Sequence, residues 1–310
     1  MTIELSYTTE EIAKILRVSK LTVYDLIKKG ELPSYRVGRQ MRVDAGDLEQ
    51  YKARAKGNNN PSNPSPREPQ QTSIGIKTIV ITGQDVSLDI LTKHIEKQSK
   101  AFRPLRSYAG SLDSLIAMYQ GQADIVSTHL LDGDSGEYNL PFIQRLLVGF
   151  PYVVVNLVTR AAGLYVQKGN PKSIQTWSDL SRADVSMVNR EKGSGARVLV
   201  DEQLRLNGIS SDEVKGYTIE ESNHLAVAGK VATGAADVGV GIEKAAYMVG
   251  VDFIPLIQER VDLVMLRSPE NKEWIELVQR ILRSDEFKNE LQSIQGYDLS
   301  LIGTVMSDTK

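Results

Sequence analysis

The sequence predicts a chain of two domains, a small helical domain with a β-hairpin and a larger α/β domain made of two lobes. A length of 310 residues suits two hydrophobic cores better than one. Residues 57–72 lack apolar periodicity and are rich in Asn, Pro and Ser, as expected of an unpacked linker. We therefore expect domains at residues 1–56 and 73–310. In the second, alternating strand and helix patterns predict mostly parallel sheets.

Composition and charge narrow the possible classes of function. The chain has no cysteine, which excludes disulfides, thiolate metal sites and cysteine nucleophiles. Residues 1–56 carry 11 Lys and Arg against 8 Asp and Glu, so their net charge of +3 contrasts with −5 for the remainder. This asymmetry predicts a polyanionic partner for the small domain alone. Neither a signal-like leader nor a membrane-length apolar run is present, so we expect a cytoplasmic protein with no membrane partner.

The small domain carries the pattern of a winged helix-turn-helix. Residues 8–11, TTEE, form a capping box that opens one helix. Ser19 can cap a second helix, which Gly30 ends. Residues 32–43 alternate loosely around Gly38 as a basic hairpin, and a last helix follows. Two short helices and a basic hairpin are typical of this DNA-binding fold.

Residues 8–51, from TTEEIAKILRVSKLTVYDLIKKGELPSYRVG to DLEQY, resemble the excisionase/MerR-type DNA-binding module. The resemblance implies that the second helix enters the major groove of double-stranded DNA and that the hairpin lies along the backbone. Asp25 departs from the basic residue often seen there. The alternative is a protein-binding head whose arginines form only a solvated face. The expected DNA contacts are Ser19, Lys20, Thr22, Tyr24, Lys28, Arg36, Arg39 and Arg42.

The larger domain contains an internal repeat. A helix–turn–strand unit runs from Ser111 to Asp124 and again from His224 to Asp237, so that the two positions are 13 residues apart each time. Two copies of one unit predict two pseudo-equivalent lobes. Interrupted strand pairs are expected to cross between the lobes, at residues 152–160 with 163–166 and at residues 253–256 with 261–266.

A glycine-rich turn predicts a binding site for a small anion. The stretch VSMVNREKGSGARVLVDEQL changes from strand-like to helical periodicity around Gly193, Ser194 and Gly195. Such a turn exposes unpaired backbone N–H groups at a helix N-terminus, and Arg190 adds positive charge at the same strand end. The alternative is that Ser194 only caps the helix.

The domain resembles the type II periplasmic-binding-protein fold through AGSLDSLIAMYQGQADIVSTHLLDGDSGEYN and NREKGSGARVLVDEQL. Parts of both segments, with TGQDVSLDIL, are similar to molybdate- and tungstate-binding transport proteins. The resemblance implies an oxyanion site between the lobes. The negative charge of Asp85 would repel a bound anion, so we expect Asp85 to cap its helix or to accept a hydrogen bond from a donor of the other lobe. The implied ligand-binding residues are Thr82, Gly83, Asp85, Gly110, Ser111, His129, Arg190, Ser194, Gly195, Asn223 and His224.

No enzyme motif is complete, so we expect no catalytic activity, no cofactor and no metal site. Lys244 stands where a dinucleotide fingerprint needs glycine, and Lys192 where a nucleophile elbow does. The three histidines are scattered, and His94 is expected on a solvent-facing side of its helix. We expect a homodimeric or larger transcription regulator that senses molybdate or tungstate. The alternatives are an excisionase-like architectural factor and a sensor of an organic carboxylate or molybdenum-cofactor-related ligand.

The arginines of the hairpin generate the first testable prediction. Arg39→Ala should weaken DNA binding about equally on all sequences and reduce the salt slope by about one unit, because a phosphate contact is lost. Arg42→Ala should behave alike. Titrations of the full chain with cognate and unrelated duplexes at several salt concentrations measure this. An unchanged affinity and slope in both variants would show that the hairpin does not contact phosphate.

Overall fold

The computed structural model describes residues 6–16, 18–28, 32–37, 40–55 and 76–309. It separates the chain into the units Met1–Thr72 and Ser73–Lys310. The predicted linker, residues 57–72, and Arg39 lie outside the described residues. In the described ranges, no helix is long and apolar enough to cross a membrane.

The first unit packs three helices against a small antiparallel sheet with strand order β1-β3-β2. The predicted capping box forms, since the Thr8 N–H donates to Glu11 Oε2 at 2.8 Å and the Glu11 N–H donates to Thr8 Oγ1 at 3.3 Å. Ile12, Val23 and Val43 lie in its core. The strand β1, which the sequence analysis did not predict, pairs with the hairpin. The elements are β1 (Ser6–Thr8), α1 (Thr9–Leu16), α2 (Lys20–Lys28), β2 (Tyr35–Val37), β3 (Gln40–Asp44) and α3 (Ala45–Ala55).

The second unit is built on one sheet to which ten described strands contribute. Its strands are β4 (Lys77–Thr82), β5 (Phe102–Ser107), β6 (Ile125–Thr128), β7 (Tyr152–Val166), β8 (Met187–Arg190), β9 (Glu220–Glu221), β10 (Val238–Ile242), β11 (Asp252–Leu266), β12 (Tyr297–Asp298) and β13 (Val305–Asp308). Its helices are α4 (Ser87–Gln98), α5 (Ser111–Tyr119), α6 (Leu140–Leu146), α7 (Gly195–Leu206), α8 (His224–Ala232), α9 (Glu243–Val249), α10 (Lys272–Arg283) and α11 (Asp285–Gln292).

The sheet divides into the two lobes that the repeat predicts. In lobe 1, β4 pairs in parallel with β5 and β6, and α4, α10 and α11 cover one face of the sheet around the fully buried Trp274 and Phe287. In lobe 2, β8 pairs in parallel with β9 and β10, and Val200 of α7 and Val227 of α8 are buried against these strands. The carboxyl ends of the parallel strands in each lobe therefore face the region between the lobes.

Two long strands connect the lobes, and they correct the predicted interrupted pairs. β7 and β11 each run for 15 residues and pair antiparallel along their whole length. Small residues at Ala161, Ala162 and Gly163 do not interrupt β7, because β11 and β10 hydrogen-bond to it on both sides. A Cβ at Gly163 would lie 2.0 Å from the Ile254 carbonyl oxygen. Glycine is thus required for the close approach of these strands, not for a turn.

His94 corrects a second prediction. Its side chain is buried between α4 and α11, and not on a solvent-facing side of the helix. Its Nε2 lies 2.8 Å from Glu290 Oε2, and its ring meets Phe287 edge-on with 5.3 Å between centroids. The helix α11 covers this face, although it lies more than 190 residues later in the sequence. The hydrophobic periodicity of α4 alone cannot predict such a distant contact.

Candidate ligand-binding cleft

A buried ion pair marks the point at which β7 and β11 pass from one lobe to the other. Arg160 on β7 lies opposite Glu259 on β11, and its Nε donates to Glu259 Oε2 at 2.9 Å. Both side chains are nearly inaccessible to solvent. Burial lowers the pKa of Arg160, but the carboxylates of Glu259 and Asp85 outweigh it and raise the pKa. The guanidinium therefore stays charged.

Asp85, which follows β4 in lobe 1, is the second partner of Arg160. Its Oδ2 accepts from Arg160 Nη1, and its Oδ1 accepts from the Tyr297 hydroxyl at 2.6 Å and the Ser87 N–H at 2.8 Å. Burial favours the neutral acid, but Arg160 and these hydrogen bonds lower the pKa of Asp85. Asp85 thus accepts the N–H of Ser87, the first residue of α4, and also a donor from a crossing strand, although Val86 holds the N-cap position.

His129, at the end of β6, joins the same network. Its Nδ1 lies 3.1 Å from Ser111 Oγ and its Nε2 lies 3.4 Å from Glu259 Oε1. Burial lowers the pKa of His129 to about 4, since Arg160 and Arg190 offset the favourable effect of the carboxylates. The imidazole is therefore neutral at pH 7. Burial and the same arginines also lower the pKa of His224 well below its ordinary value.

A cavity of about 320 Å³ opens beside this network, and both lobes contribute to it. Its polar lining includes four of the predicted residues. The polar side chains are Gln84, Asp85, His129, Arg160, Asn223, His224, Lys244 and Tyr297. The apolar side chains are Val86, Leu225, Ile242, Ala245 and Met248. Among the described residues, no three His, Asp or Glu side chains are grouped to hold a metal ion.

Two side chains of the predicted anion site, Ser194 and Arg190, already bond to the protein's own groups. Ser194 caps α7, where its Oγ accepts from the Arg197 N–H at 3.2 Å and donates to the Glu191 carbonyl at 2.8 Å. Arg190 donates to both carboxylate oxygens of Glu191 at 2.7 Å. It also donates to Gln84 Oε1 of lobe 1 at 2.6 Å. The charge of Arg190 is thus already compensated, and its side chain connects the lobes.

Two glycines predicted around the oxyanion, Gly110 and Gly195, lie where the lobes touch. The Leu112 N–H of lobe 1 donates to the Gly193 carbonyl of lobe 2 at 2.9 Å. A Cβ at Gly110 would lie 2.5 Å from that carbonyl oxygen, and one at Gly195 would lie 2.2 Å from the His129 ring. Gly83, which follows Thr82, donates its N–H to the Ser107 carbonyl at 3.0 Å. These residues adjoin the cavity without lining it.

The first unit places the predicted DNA-contacting residues on α2 and on the hairpin. The Ser19 hydroxyl caps α2 by accepting from the Thr22 N–H at 3.1 Å, and Lys20 pairs with Glu10 at 2.5 Å. Tyr24 and Lys28 belong to α2, and Arg36 belongs to β2. The partly buried Arg42 donates to Ser6 Oγ at 3.1 Å from the central strand.

Sequence reasoning missed several cleft residues, chiefly Gln84, Arg160, Lys244 and Tyr297. A usable signal was present for Arg160, because it is the one charged residue in the run YVVVNLVTRAAGLYV. A charge in an otherwise apolar central strand requires a buried partner. No comparable signal identifies Tyr297, which reaches Asp85 across 212 residues of sequence.

Comparisons with known proteins agree with this architecture. A PBP superfamily domain matches residues 92–283, more than half of the chain. The chain belongs to the PBP superfamily. A helix-turn-helix domain matches residues 6–56, so the chain joins an excisionase-like DNA-binding domain to a PBP-like ligand-binding domain, the combination of a ligand-responsive regulator.

The relatives match different shares of the chain. The uncharacterized protein YvgK of Bacillus subtilis is 52% identical over 98% of each chain. The molybdate-binding protein ModA of Mycobacterium tuberculosis is 30% identical over 59% of this chain and 66% of its own. A peroxide-bound OxyR variant from Corynebacterium glutamicum has a TM-score of 0.52 at 13% identity, covering 93% of this chain and 89% of its own. That last likeness concerns the fold alone.

The glycine contacts between the lobes generate a prediction about closure. Gly110 has φ −64°, so Gly110→Ala leaves the backbone unstrained but places a methyl group against Gly193. We expect the variant to fold with its lobes held apart and its cleft accessible. Small-angle scattering of the full chain should report an increased radius of gyration.

Gly229→Ala serves as the matched control, because its helical position in α8 has open space around it. This substitution should leave the scattering unchanged and slightly raise the thermal midpoint. A Gly110→Ala chain that scatters like the wild type would contradict the assigned lobe contact.

The neutral His129 predicts a loss of stability on acidification. Its pKa is about 4 in the folded chain against 6.5 for the ordinary group, so the unfolded chain binds the proton first as the pH falls. His129 should therefore remove about 2 kcal/mol of stability between pH 7 and pH 5.

Urea unfolding of the wild type and His129→Gln at both pH values measures this contribution. The stability difference between the two pH values should be smaller in the variant by about that amount. Equal pH dependence in both chains would contradict a neutral, buried His129.

Proposed function

We propose that this protein is a DNA-binding transcription regulator that responds to a small organic anion held between the two lobes. The observation that carries the proposal is the cavity beside Arg160, lined from lobe 1 by Asp85 and His129 and from lobe 2 by His224 and Lys244. A ligand there contacts both lobes at the strands that connect them. Ligand binding is thus coupled to the separation of the lobes.

The size and the apolar wall of the cavity favour an organic ligand. A volume of about 320 Å³ lies at the lower end of the ~300–1,000 Å³ range typical of small-molecule sites. Val86, Leu225 and Met248 present apolar surface to it. A tetrahedral oxyanion needs a close cage of N–H and O–H donors, and apolar side chains contribute none of these.

Molybdate or tungstate is the second candidate, supported by the similarity to ModA and by the glycine-rich turn beside Arg190. For an oxyanion to use this turn, Ser194 would have to release the Glu191 carbonyl and Arg190 would have to release Gln84. Each exchange of an internal hydrogen bond for one to the ligand reduces the net gain. The geometry therefore favours the organic anion.

Regulation by this ligand requires a second copy of the chain. Helix-turn-helix domains read paired half-sites as dimers, so the geometry of the dimer sets the spacing that they can span. We propose a cytoplasmic homodimer in which closure of the lobes changes that spacing, and in which the ligand is bound without being chemically altered.

Thermal-shift and calorimetric titration of the full chain test the ligand class. Benzoate and phenylacetate should raise the thermal midpoint, because binding to the folded state alone is stabilising. Molybdate, tungstate, sulfate and phosphate should give smaller shifts, and acetate, which lacks an apolar body, serves as the matched control. A response to molybdate or tungstate alone would identify the metal oxyanion, and not the organic anion, as the ligand.

The regulatory part of the proposal has its own measurement. The affinity of the best ligand should differ by ~5–150-fold with and without cognate DNA, since coupling between two sites is reciprocal. Equal affinities in the two titrations would show that ligand binding is not coupled to DNA binding, whichever ligand the cleft holds.

A further inference from the structure

The cleft contains three cationic side chains that differ in how their charges are compensated. Arg160 contacts the carboxylates of Asp85 and Glu259, and Arg190 contacts both oxygens of Glu191. These guanidinium charges are neutralised inside the protein. An incoming anion would have to compete with carboxylates already in place.

Lys244 is the exception. It lies in the first turn of α9, is half-buried and lines the cavity. Among the residues that the structure describes, none forms a hydrogen bond or ion pair with its side chain. A lysine ammonium has three donors and a full charge, so Lys244 offers an uncompensated cation to a ligand in the cavity.

Apolar side chains line the same cavity as Lys244. Leu225 on α8 and Met248, one turn after Lys244 on α9, are 44% and 61% exposed, and Val86 of lobe 1 is 38% exposed. All three line the cavity. Neighbouring exposed apolar side chains mark a ligand site more often than isolated ones do. A cation next to such a surface matches a ligand with an anionic group and an apolar body.

We propose that Lys244 is the residue that selects the ligand's charge, by binding its carboxylate while Leu225 and Met248 contact its apolar body. This inference rests on the proposed function and specifies its ligand as an amphipathic carboxylate. Arg160 then positions the crossing strands and does not bind the ligand's charge.

The acid and the amide of one ligand isolate the contribution of Lys244. The wild-type chain should bind benzoate more tightly than benzamide, which has the same ring and no charge. Lys244→Met should weaken benzoate binding about 10- to 100-fold, the effect of losing a charge-assisted hydrogen bond. It should leave benzamide binding nearly unchanged, so that the preference for the acid disappears. Lys244→Arg should retain the preference.

Lys230→Met is the matched control, because Lys230 on α8 is exposed and pairs with Glu221 at 3.5 Å, away from the cavity lining. It should bind both compounds as the wild type does. Thermal midpoints without ligand verify that each variant folds, and Lys244→Gln provides a second neutral variant should Lys244→Met be unstable.

The outcomes separate this inference from the proposed function. An unchanged preference in Lys244→Met would overturn the role of Lys244 and leave the organic anion standing. Equal binding of benzoate and benzamide by the wild type would overturn both the role of Lys244 and the anionic character of the ligand. No binding of benzoate or phenylacetate by a folded wild-type chain would overturn the proposed ligand class itself.

Discussion

The positive charge of Arg160 has to be matched inside the protein, and the arrangement of the cleft follows from that constraint. An unpaired buried charge costs several kcal/mol, about the whole stability of an ordinary domain. Glu259 supplies one partner from the neighbouring strand, and Asp85 supplies another from the end of β4. Tyr297 then donates its hydroxyl to the other carboxylate oxygen of Asp85. The network holds β4, β7 and β11 in register where the lobes meet, and thereby fixes one side of the cavity.

Polar groups and glycines form part of the contact between the lobes, beside apolar contacts such as that of Val198 with the core of lobe 1. Gly193 accepts a backbone hydrogen bond from Leu112, and Gln84 contacts Arg190. Water can replace such bonds when the lobes separate, so the net free energy lost is about 0.5–1.5 kcal/mol for each of them. Polar contacts of this kind favour relative motion of the parts that they join. The close glycine contacts still impose a specific closed geometry.

Local patterns predicted most of the fold, and distant contacts account for what they did not. The capping box at Thr8 and the paired units at Ser111 and His224 depend on neighbouring residues, so their spacing identifies them. The resemblance to the type II periplasmic-binding-protein fold, and not spacing alone, placed Asp85, His129, Asn223 and His224 around the cleft. It could not show that Ser194 and Arg190 are occupied by Glu191, because competition between internal and ligand hydrogen bonds depends on three-dimensional distances. Nor could it find Lys244, whose importance comes from its place in the cavity lining and from the absence of a partner for its side chain among the described residues.

The path of β7 and β11 determines how the two lobes are connected along the chain. Lobe 2 is a single insertion nested within lobe 1, since the chain leaves along β7 and returns along β11. Val158 and Val261 face each other as register partners just where the excursion starts and finishes. A tight turn between these two valines would close lobe 1 as an uninterrupted sheet. The two units with the 13-residue spacing therefore lie in different lobes, one in the part of the chain outside this excursion and one within it.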